Sequence, residues 1–367
     1  LLVSALIAGQ LLKLISDGRP RGPADLILSA QRNEPPEIKN GFLSATVAMI
    51  SLSGGSSVGM FGPLMHFGGC FSYFVKKNIN VKVLTEVKQD KVFNGVFYGN
   101  KHSSQDKHYD LCIAISNANL FRNISSKKKV VWSNSLQPFE KFLRKKQLLP
   151  FLKYKPEVVT MCNYQYRNRS YLTSMFGKHM ITLSVDPRFY TEPVDLKKIP
   201  EPYALNNVRS LRNLDWLIDI WINKFQNKEK KAKLFINPNL IPYTEELQNS
   251  NVFERKFGSR EDLINELRNT RVFAYTGHKS DIWVLTVEEA VQMCVPVVTY
   301  GIGSVADRVI HNETGFIAKN DREFAYYLEK LLFNNDFYNS IRRKMYKRRG
   351  FKNWDYIAEI WIKKFLY

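Results

Sequence analysis

From residue 75 onward, short β-branched or aromatic runs alternate with stretches whose apolar positions recur at helical spacing. The first runs, at 81–85, 111–115, 130–132, 158–161 and 180–183, read as strands, and 138–149 and 164–175 read as helices. Pro187, Pro193, Pro200 and Pro202 then punctuate a link. Beyond it the pattern predicts a helix over 211–225, strand 232–236, helix 260–268, strand 271–275, helix 287–293 and strand 295–299. Helices follow after Asp321 and Asp336, and 354–365 is a last amphipathic helix. Such alternation predicts α/β architecture with parallel sheets covered on both faces. The expected body is two Rossmann-like, doubly wound domains, 75–200 and 201–350, with a C-terminal helix over 351–367.

The first 74 residues have a different texture. Small residues and glycine dominate 44–59, a composition that lets helices pack closely inside lipid. The apolar run 1–15 is interrupted by Gln10 and Lys13 and lacks the layout of a cleaved leader. It is shorter than the roughly 20 residues a straight membrane span needs. With no Met at its start, the sequence reads as beginning inside a longer segment.

Hydrophobic residues at 44% and aromatics at 13% exclude a disordered chain. The formal charge of +20 implies an anionic partner, whether nucleic acid, a membrane surface or a phosphorylated small molecule, or else a solvated Lys- and Asn-rich bias. No basic low-complexity arm or zinc-ligand spacing supports nucleic acid, which is not expected as a partner. Cys70, Cys112, Cys162 and Cys294 are far apart without CxxC pairing, and read as buried small hydrophobes. The histidines show no metal-ligand spacing either, so no metal is expected. Phe139, Phe142, Leu143 and Leu148 stand beside Lys141, Arg144, Lys145 and Lys146. That basic amphipathic face suits anionic lipid, or ordinary packing under solvated lysines.

The densest candidate chemistry runs from Ala274 to Gly301. It holds Gly277-His278-Lys279-Ser280-Asp281-Ile282-Trp283-Val284-Leu285-Thr286, then Glu288 and Glu289, then Pro296-Val297-Val298. Acids near a helix start can serve only to favour its dipole. Together with Asn312-Glu313-Thr314-Gly315-Phe316, though, the segment resembles the donor-site signature of retaining glycosyltransferases of family 4, which have the GT-B fold. That family places two glutamates across the strand, loop and helix; Asp281 and Glu289 occupy those slots, and Cys294 stands at a family glycine. The resemblance covers about residues 68–367 and is strongest over 271–316. It implies a hexosyltransferase that moves a sugar from a nucleotide-sugar donor, UDP- or GDP-linked, to a glycan or lipid-linked acceptor, without a cofactor.

The implied donor site offers backbone N–H groups of the 281–286 loop at a helix start. Asp281 is the implied catalytic carboxylate beneath the sugar. Glu289 accepts from both ribose hydroxyls, because a carboxylate's two oxygens take two donors at once. Gly277, His278, Lys279, Ile282, Trp283, Val284, Leu285 and Thr286 complete the donor loop. Arg209 and Arg212 fit the family's phosphate clamp, since guanidinium meets phosphate bidentately, or they are solvated surface arginines. Lys256 and Phe257 fall at the base-contacting loop. Asn134 takes a slot, on the acceptor side of the site, where the family often carries a His facing the reacting sugar.

The first stretch resembles the CLC chloride channel family through Pro20-Arg21-Gly22-Pro23 and above all Gly55-Ser56-Ser57-Val58-Gly59-Met60-Phe61-Gly62-Pro63. A similar turn there aims helix N-termini at chloride, so Ser56, Ser57, Gly59 and Gly62 are the implied remnant of an anion motif. Phe61 fills the slot of the gating glutamate, and so short a stretch cannot build a many-helix pore. The implied organisation is a membrane-derived fragment, 1–74, joined near Gly68-Gly69 to an enzyme body whose first domain lacks its opening strand, as in a fusion or chimera. Two functions are expected from this. One is a cytoplasmic transferase with peripheral contact at an anionic inner membrane face. The other is a catalytically silent sugar-nucleotide-binding module fused to a channel fragment.

Overall fold

The computed structural model describes residues 82–85, 91–93, 96–100, 108–136, 139–177, 179–208, 213–225, 232–238, 240–242, 244–256, 258–350 and 353–367. All of them lie in one compact unit. The channel-like segment with Ser56, Ser57, Gly59 and Gly62, the expected junction, both clamp arginines Arg209 and Arg212, and Phe257 fall outside these residues.

Three short strands come first: β1 (Lys82–Thr85), β2 (Lys91–Phe93) and β3 (Val96–Asn100). They form a sheet of order β1-β3-β2 in which β1 runs parallel and β2 antiparallel to β3. The pattern reading missed β2 and β3, although Asn94-Gly95 between them is a strong two-residue hairpin signal. The next sheet is wholly parallel, in the order β4 (His108–Ile115), β5 (Ser125–Trp132), β6 (Glu157–Thr160), β7 (His179–Met180).

Its helices are α1 (Phe139–Arg144), α2 (Leu148–Tyr154), α3 (Asn163–Arg167) and α4 (Tyr171–Met175). The two continuous helices expected over 138–149 and 164–175 are therefore both broken. Lys146 adopts a left-handed φ of 50° between α1 and α2. Ser170 caps α4 by accepting from Thr173 N, so the polar stretch before it ends one helix and starts another.

The proline-rich link is packed, and α5 (Arg188–Thr191) lies within it. Buried Asp186 accepts from the guanidinium groups of Arg188 and Arg260. Phe189 is sealed into the second half's core, and Arg349 donates to the Phe189 carbonyl.

The second half holds β8 (Tyr203–Asn206), α6 (Leu214–Phe225), β9 (Lys233–Ile236), α7 (Glu245–Asn249), β10 (Val252–Glu254), α8 (Arg260–Arg268) and β11 (Val272–Ala274). It continues with α9 (Leu285–Gln292), β12 (Val297–Thr299), β13 (Gly315–Ile317), α10 (Asp321–Phe333) and α11 (Asn335–Tyr346). Its six strands are all parallel, in the order β10-β9-β8-β11-β12-β13. β11 is apolar throughout, and β8 nearly so up to Asn206 at its end, because helices cover both faces. Leu217, Trp221 and Phe324 pack one side, and Ile264, Phe273 and Val287 the other.

The last helix, α12 (Trp354–Phe365), returns to the first half. Its Trp354, Ile357, Trp361 and Phe365 bury against Val130, Trp132 and Val159. Trp132 and Trp361 meet edge-on at 5.9 Å, a pairing worth about 0.5–1.5 kcal/mol beyond the area it hides. Among the described residues no helix is long and apolar enough to cross a membrane.

Candidate active site

In the six-stranded sheet the chain leaves β8 toward β9 and later returns on the other side as β11. Where strand order reverses in this way, the loops after the two strands diverge and open a crevice at their carboxyl ends. Here those loops run from Asn207 and from Tyr275. Asparagines tie them at the base. Asn206 Nδ2 donates to the Ala274 carbonyl at 2.9 Å, and Asn213 Nδ2 donates to the Gly277 carbonyl at 2.7 Å.

The loop after β12 closes on the loop after β11. Gly277 has φ +92° and bridges Ile302; a Cβ on it would lie 2.6 Å from the Ile302 carbonyl oxygen. Gly303 has φ +77°, and a Cβ there would lie 2.1 Å from the His278 carbonyl oxygen. Only glycine permits both the positive φ and this approach of two backbones.

Asp281 sits inside the closure and is 1% exposed. Its Oδ2 accepts from Tyr275 Oη at 2.6 Å and from His278 N at 3.0 Å, and its carbonyl accepts from Ser304 N at 3.0 Å. The resemblance assigns Asp281 to the sugar; here its carboxylate is engaged within its own loop. Two donors already occupy its oxygen and its surface is covered, so in this structure it shapes the loop from within.

Ile282 and Trp283 turn their side chains into the cluster shared with the first half, and Val284 packs into the second half's core. Of these three residues expected in the donor site, Ile282 and Val284 have buried side chains, while Trp283 is half-buried. The Arg308 guanidinium lies 3.1 Å from the Trp283 ring centroid. Burial lowers the Arg308 pKa, against the opposing pull of Glu288.

Leu285 opens α9 with no side chain capping it. Thr286, next in the helix, buries its hydroxyl without a hydrogen-bond partner among the described residues. Glu289 follows on the buried side of the same helix at 8% exposure, while neighbouring Glu288 accepts from Gln292 at 3.0 Å. His278 is half-buried, its Nδ1 accepting from Ser280 N at 3.1 Å, and Lys279 is exposed. Lys256 is exposed just after β10, two strands from β8. Arg255 beside it is held by Glu266 at 2.9 Å, which anchors that end of the loop.

On the first half, Asn134 follows β5. Its N–H donates to Ser116 Oγ at 2.9 Å, and its Oδ1 accepts from the same hydroxyl. Buried Gln165 of α3 clamps the loop on either side of Asn134 by donating to the Ser133 carbonyl at 2.8 Å and the Ser135 carbonyl at 2.9 Å. The same short helix reaches the second half. Tyr164 N donates to Asp307 Oδ2 at 2.7 Å, Tyr164 Oη to the Lys279 carbonyl at 2.8 Å, and Cys162 Sγ to the Ile282 carbonyl at 3.0 Å. Through α3, the Asn134 loop and the Asp281 loop are tied to one another.

Sequence reasoning missed Tyr275, Asn213, Gly303, Arg308, Tyr164 and Gln165. The pair Gly301 and Gly303 carried a readable signal, because closely spaced glycines after a strand mark a backbone approach. Tyr275 acts on Asp281 only six residues away, through a turn geometry that pattern does not show, and the others act across longer distances of sequence.

Residues 240–348 match the family model described as Glycosyl transferases group 1. No curated protein sequence matches the chain. Among solved structures, a variant of TarM from S. aureus, crystallised with fondaparinux, alpha-GlcNAc-glycerol and UDP, aligns with TM-score 0.54 at 15% identity. That alignment covers 69% of this chain and 55% of TarM, so this chain spans about half of its length. WaaG, a glycosyltransferase involved in lipopolysaccharide biosynthesis, aligns with TM-score 0.57 at 13% identity, over 83% of this chain and 96% of WaaG. A glycosyltransferase from Rickettsia africae aligns with TM-score 0.60 at 12% identity, over 84% of this chain and 95% of that one. Over residues 240–348 the chain is similar to group 1 glycosyl transferases, and with these structures it shares an α/β, GT-B-like fold with parallel sheets.

Proposed function

We propose that the crevice between β8 and β11 binds a nucleotide-sugar and that the chain transfers the sugar, with retention, to a glycan or lipid-linked acceptor held against the first half. The observation that carries this reading is the Gly277–Gly303 closure. It brings two backbones together at the carboxyl end of β11, directly before an uncapped helix start. A diphosphate placed there meets unpaired N–H groups and the positive end of a helix. Arg209 and Arg212, between β8 and α6 in sequence, are the cations proposed to complete the phosphate seat. Glu289, on the buried side of α9, is proposed to receive the ribose hydroxyls. Lys256 and Phe257 stand at the proposed base contact, and Asn134 faces the acceptor side. That TarM was crystallised with UDP and WaaG acts in lipopolysaccharide biosynthesis agrees in kind.

In this scheme the leaving diphosphate is stabilised by fixed donors, the largest source of transition-state stabilisation that a preorganised site supplies. Calorimetric titration with UDP and GDP, followed by hydrolysis of the corresponding sugar donors, tests it. Saturable binding of one nucleotide, with turnover of its sugar donor, is the expected result. Absence of binding by both nucleotides removes the reading.

A second reading has its own observation. The Asp281 carboxylate oxygen Oδ2 is engaged by Tyr275 and His278, and the Asn134 side-chain oxygen Oδ1 by Ser116. A site whose two candidate reacting groups are internally satisfied suits a silent sugar-nucleotide-binding module. Nucleotide binding without donor turnover would select it.

A further inference from the structure

We propose that one face of the first half, formed by the turn Ala118–Asn123, α1 and α2, docks on the headgroup layer of an anionic lipid bilayer. The three elements pack as one block. Phe142 and Phe151 meet edge-on at 4.9 Å, Phe121 and Tyr154 at 6.1 Å, and Asn119 Nδ2 donates to the Lys145 carbonyl at 3.3 Å. Phe121, Phe142 and Phe151 are thereby buried inside the block.

Four leucines remain outside: Leu120 at 42% exposure, Leu143 at 51%, Leu149 at 75% and Leu152 at 47%. Leu149, Leu152 and Lys153 share one face of α2 by their spacing. So many large apolar side chains gathered on one exposed block mark an interaction surface.

Charge selects the partner. Arg122, Arg144, Lys145, Lys146, Lys153 and Lys155 are exposed on the same block, and Glu140 is the sole acid in the sequence between Ile115 and Pro156. A second copy would meet this face with the same positive field and be repelled. A bilayer with anionic headgroups satisfies both features, since leucines enter the acyl boundary while cations stay at the phosphates. At the edge of the block an open cavity of about 470 Å³, lined by Phe121, Arg122, Lys129, Lys153 and Tyr154, is a seat for one phosphorylated headgroup. This docking stands apart from the sugar-transfer reading, because none of its residues lines the crevice between β8 and β11.

The experiment is sedimentation of the full chain with phosphatidylcholine vesicles, with and without phosphatidylglycerol. Binding is expected only where phosphatidylglycerol is present, and the pair Leu149→Asp and Leu152→Asp should weaken it about tenfold or more while nucleotide binding holds. The apolar run at residues 1–15 can add affinity of its own, so a second measurement reads the position directly. Leu149→Trp should gain fluorescence that brominated lipid quenches. Vesicle binding without that quenching overturns the proposal, as does no binding to phosphatidylglycerol vesicles. A dimer dissolved by the leucine substitutions would assign the face to a second copy and also overturn it. Equal affinity for heparin, indifferent to those substitutions, would reduce the face to bare charge.

Discussion

Each half of the molecule ends a parallel strand in a short polar loop at the candidate site, and the two loops are held in opposite ways. The loop after β11 is held by its own neighbourhood: two glycines let backbone meet backbone, and Asp281 fastens the turn to Tyr275 and His278. The loop after β5 is held by a visitor, Gln165, whose amide reaches Ser133 and Ser135 from a helix about 30 residues away in sequence. A loop closed by local contacts resists substitution at its glycines and at Asp281. A loop closed by one side chain can be released by removing that side chain alone.

Gly303→Ala tests this difference at its largest expected effect. Its Cβ would fall 2.1 Å from the His278 carbonyl oxygen at φ +77°, so clash and backbone strain act together. A loss of about 2–4 kcal/mol in urea unfolding is expected, with nucleotide binding lost as the loop moves. Gln165→Ala should cost about 1–3 kcal/mol for the buried carbonyls it abandons. It should leave nucleotide affinity in place while turnover falls. If Gln165→Ala abolishes nucleotide binding as fully as Gly303→Ala, the two loops are one unit and the contrast fails.

Glu289→Gln sharpens the comparison within the second half, because it changes charge without changing shape. Nucleoside diphosphate affinity should weaken by about 1–3 kcal/mol, the scale of a lost charged hydrogen bond. Calorimetric affinity equal to that of the parent, in a variant with unchanged unfolding, would remove Glu289 from the site.

The same contrast explains what the sequence could reveal. Pro296-Val297-Val298 and the acids before it describe a strand, a loop and a helix that follow one another directly, so local pattern was enough to read them. The alternation of apolar and polar positions also reached the two parallel sheets, because a strand covered on both faces must be apolar throughout. Pattern could not show that Asp281 faces inward, since that depends on Tyr275 lying across the turn. Nor could it break the expected helix 138–149, where Lys146 accepts a left-handed conformation that its identity does not advertise. The packed link was unreadable for a related reason. Its prolines signal a break in regular structure, while Phe189 and Asp186 find their partners in segments far along the chain.

The buried thiols give each half an internal reporter of similar size. Burial pushes Cys162 in the first half and Cys294 in the second up to about 11, from 9.0 when unfolded. A raised folded value means the unfolded chain releases its proton first as pH rises. The stability tied to each thiol is therefore complete below pH 9 and is lost on going from 9 toward 11. Each contributes a fall of up to about 1.4 kcal/mol per pH unit in that window. Urea midpoints measured from pH 8 to 10 should drop, and Cys162→Ala or Cys294→Ala should flatten the drop in part. A profile unchanged by both substitutions would place the titration elsewhere.

The smallest effect belongs to the contact that joins the two loops. Tyr164 Oη donates to the Lys279 carbonyl at 2.8 Å in an exposed setting, so water can replace the bond when Phe takes its place. Tyr164→Phe should cost no more than about 0.5–1 kcal/mol of stability. The backbone bond from Tyr164 N to Asp307 and the Cys162 contact to Ile282 remain, so the halves stay docked. What changes is the freedom of the Lys279 end of the proposed donor loop, which this bond ties to the first half. Donor KM should therefore rise modestly while unfolding is nearly unaltered, and Tyr164→Ala, which removes the ring as well, should extend both changes in the same direction. A stability loss without any change in donor KM would mean that α3 braces the two halves but does not shape the site. The Asn134 loop and the Asp281 loop would then have to be treated as independent walls.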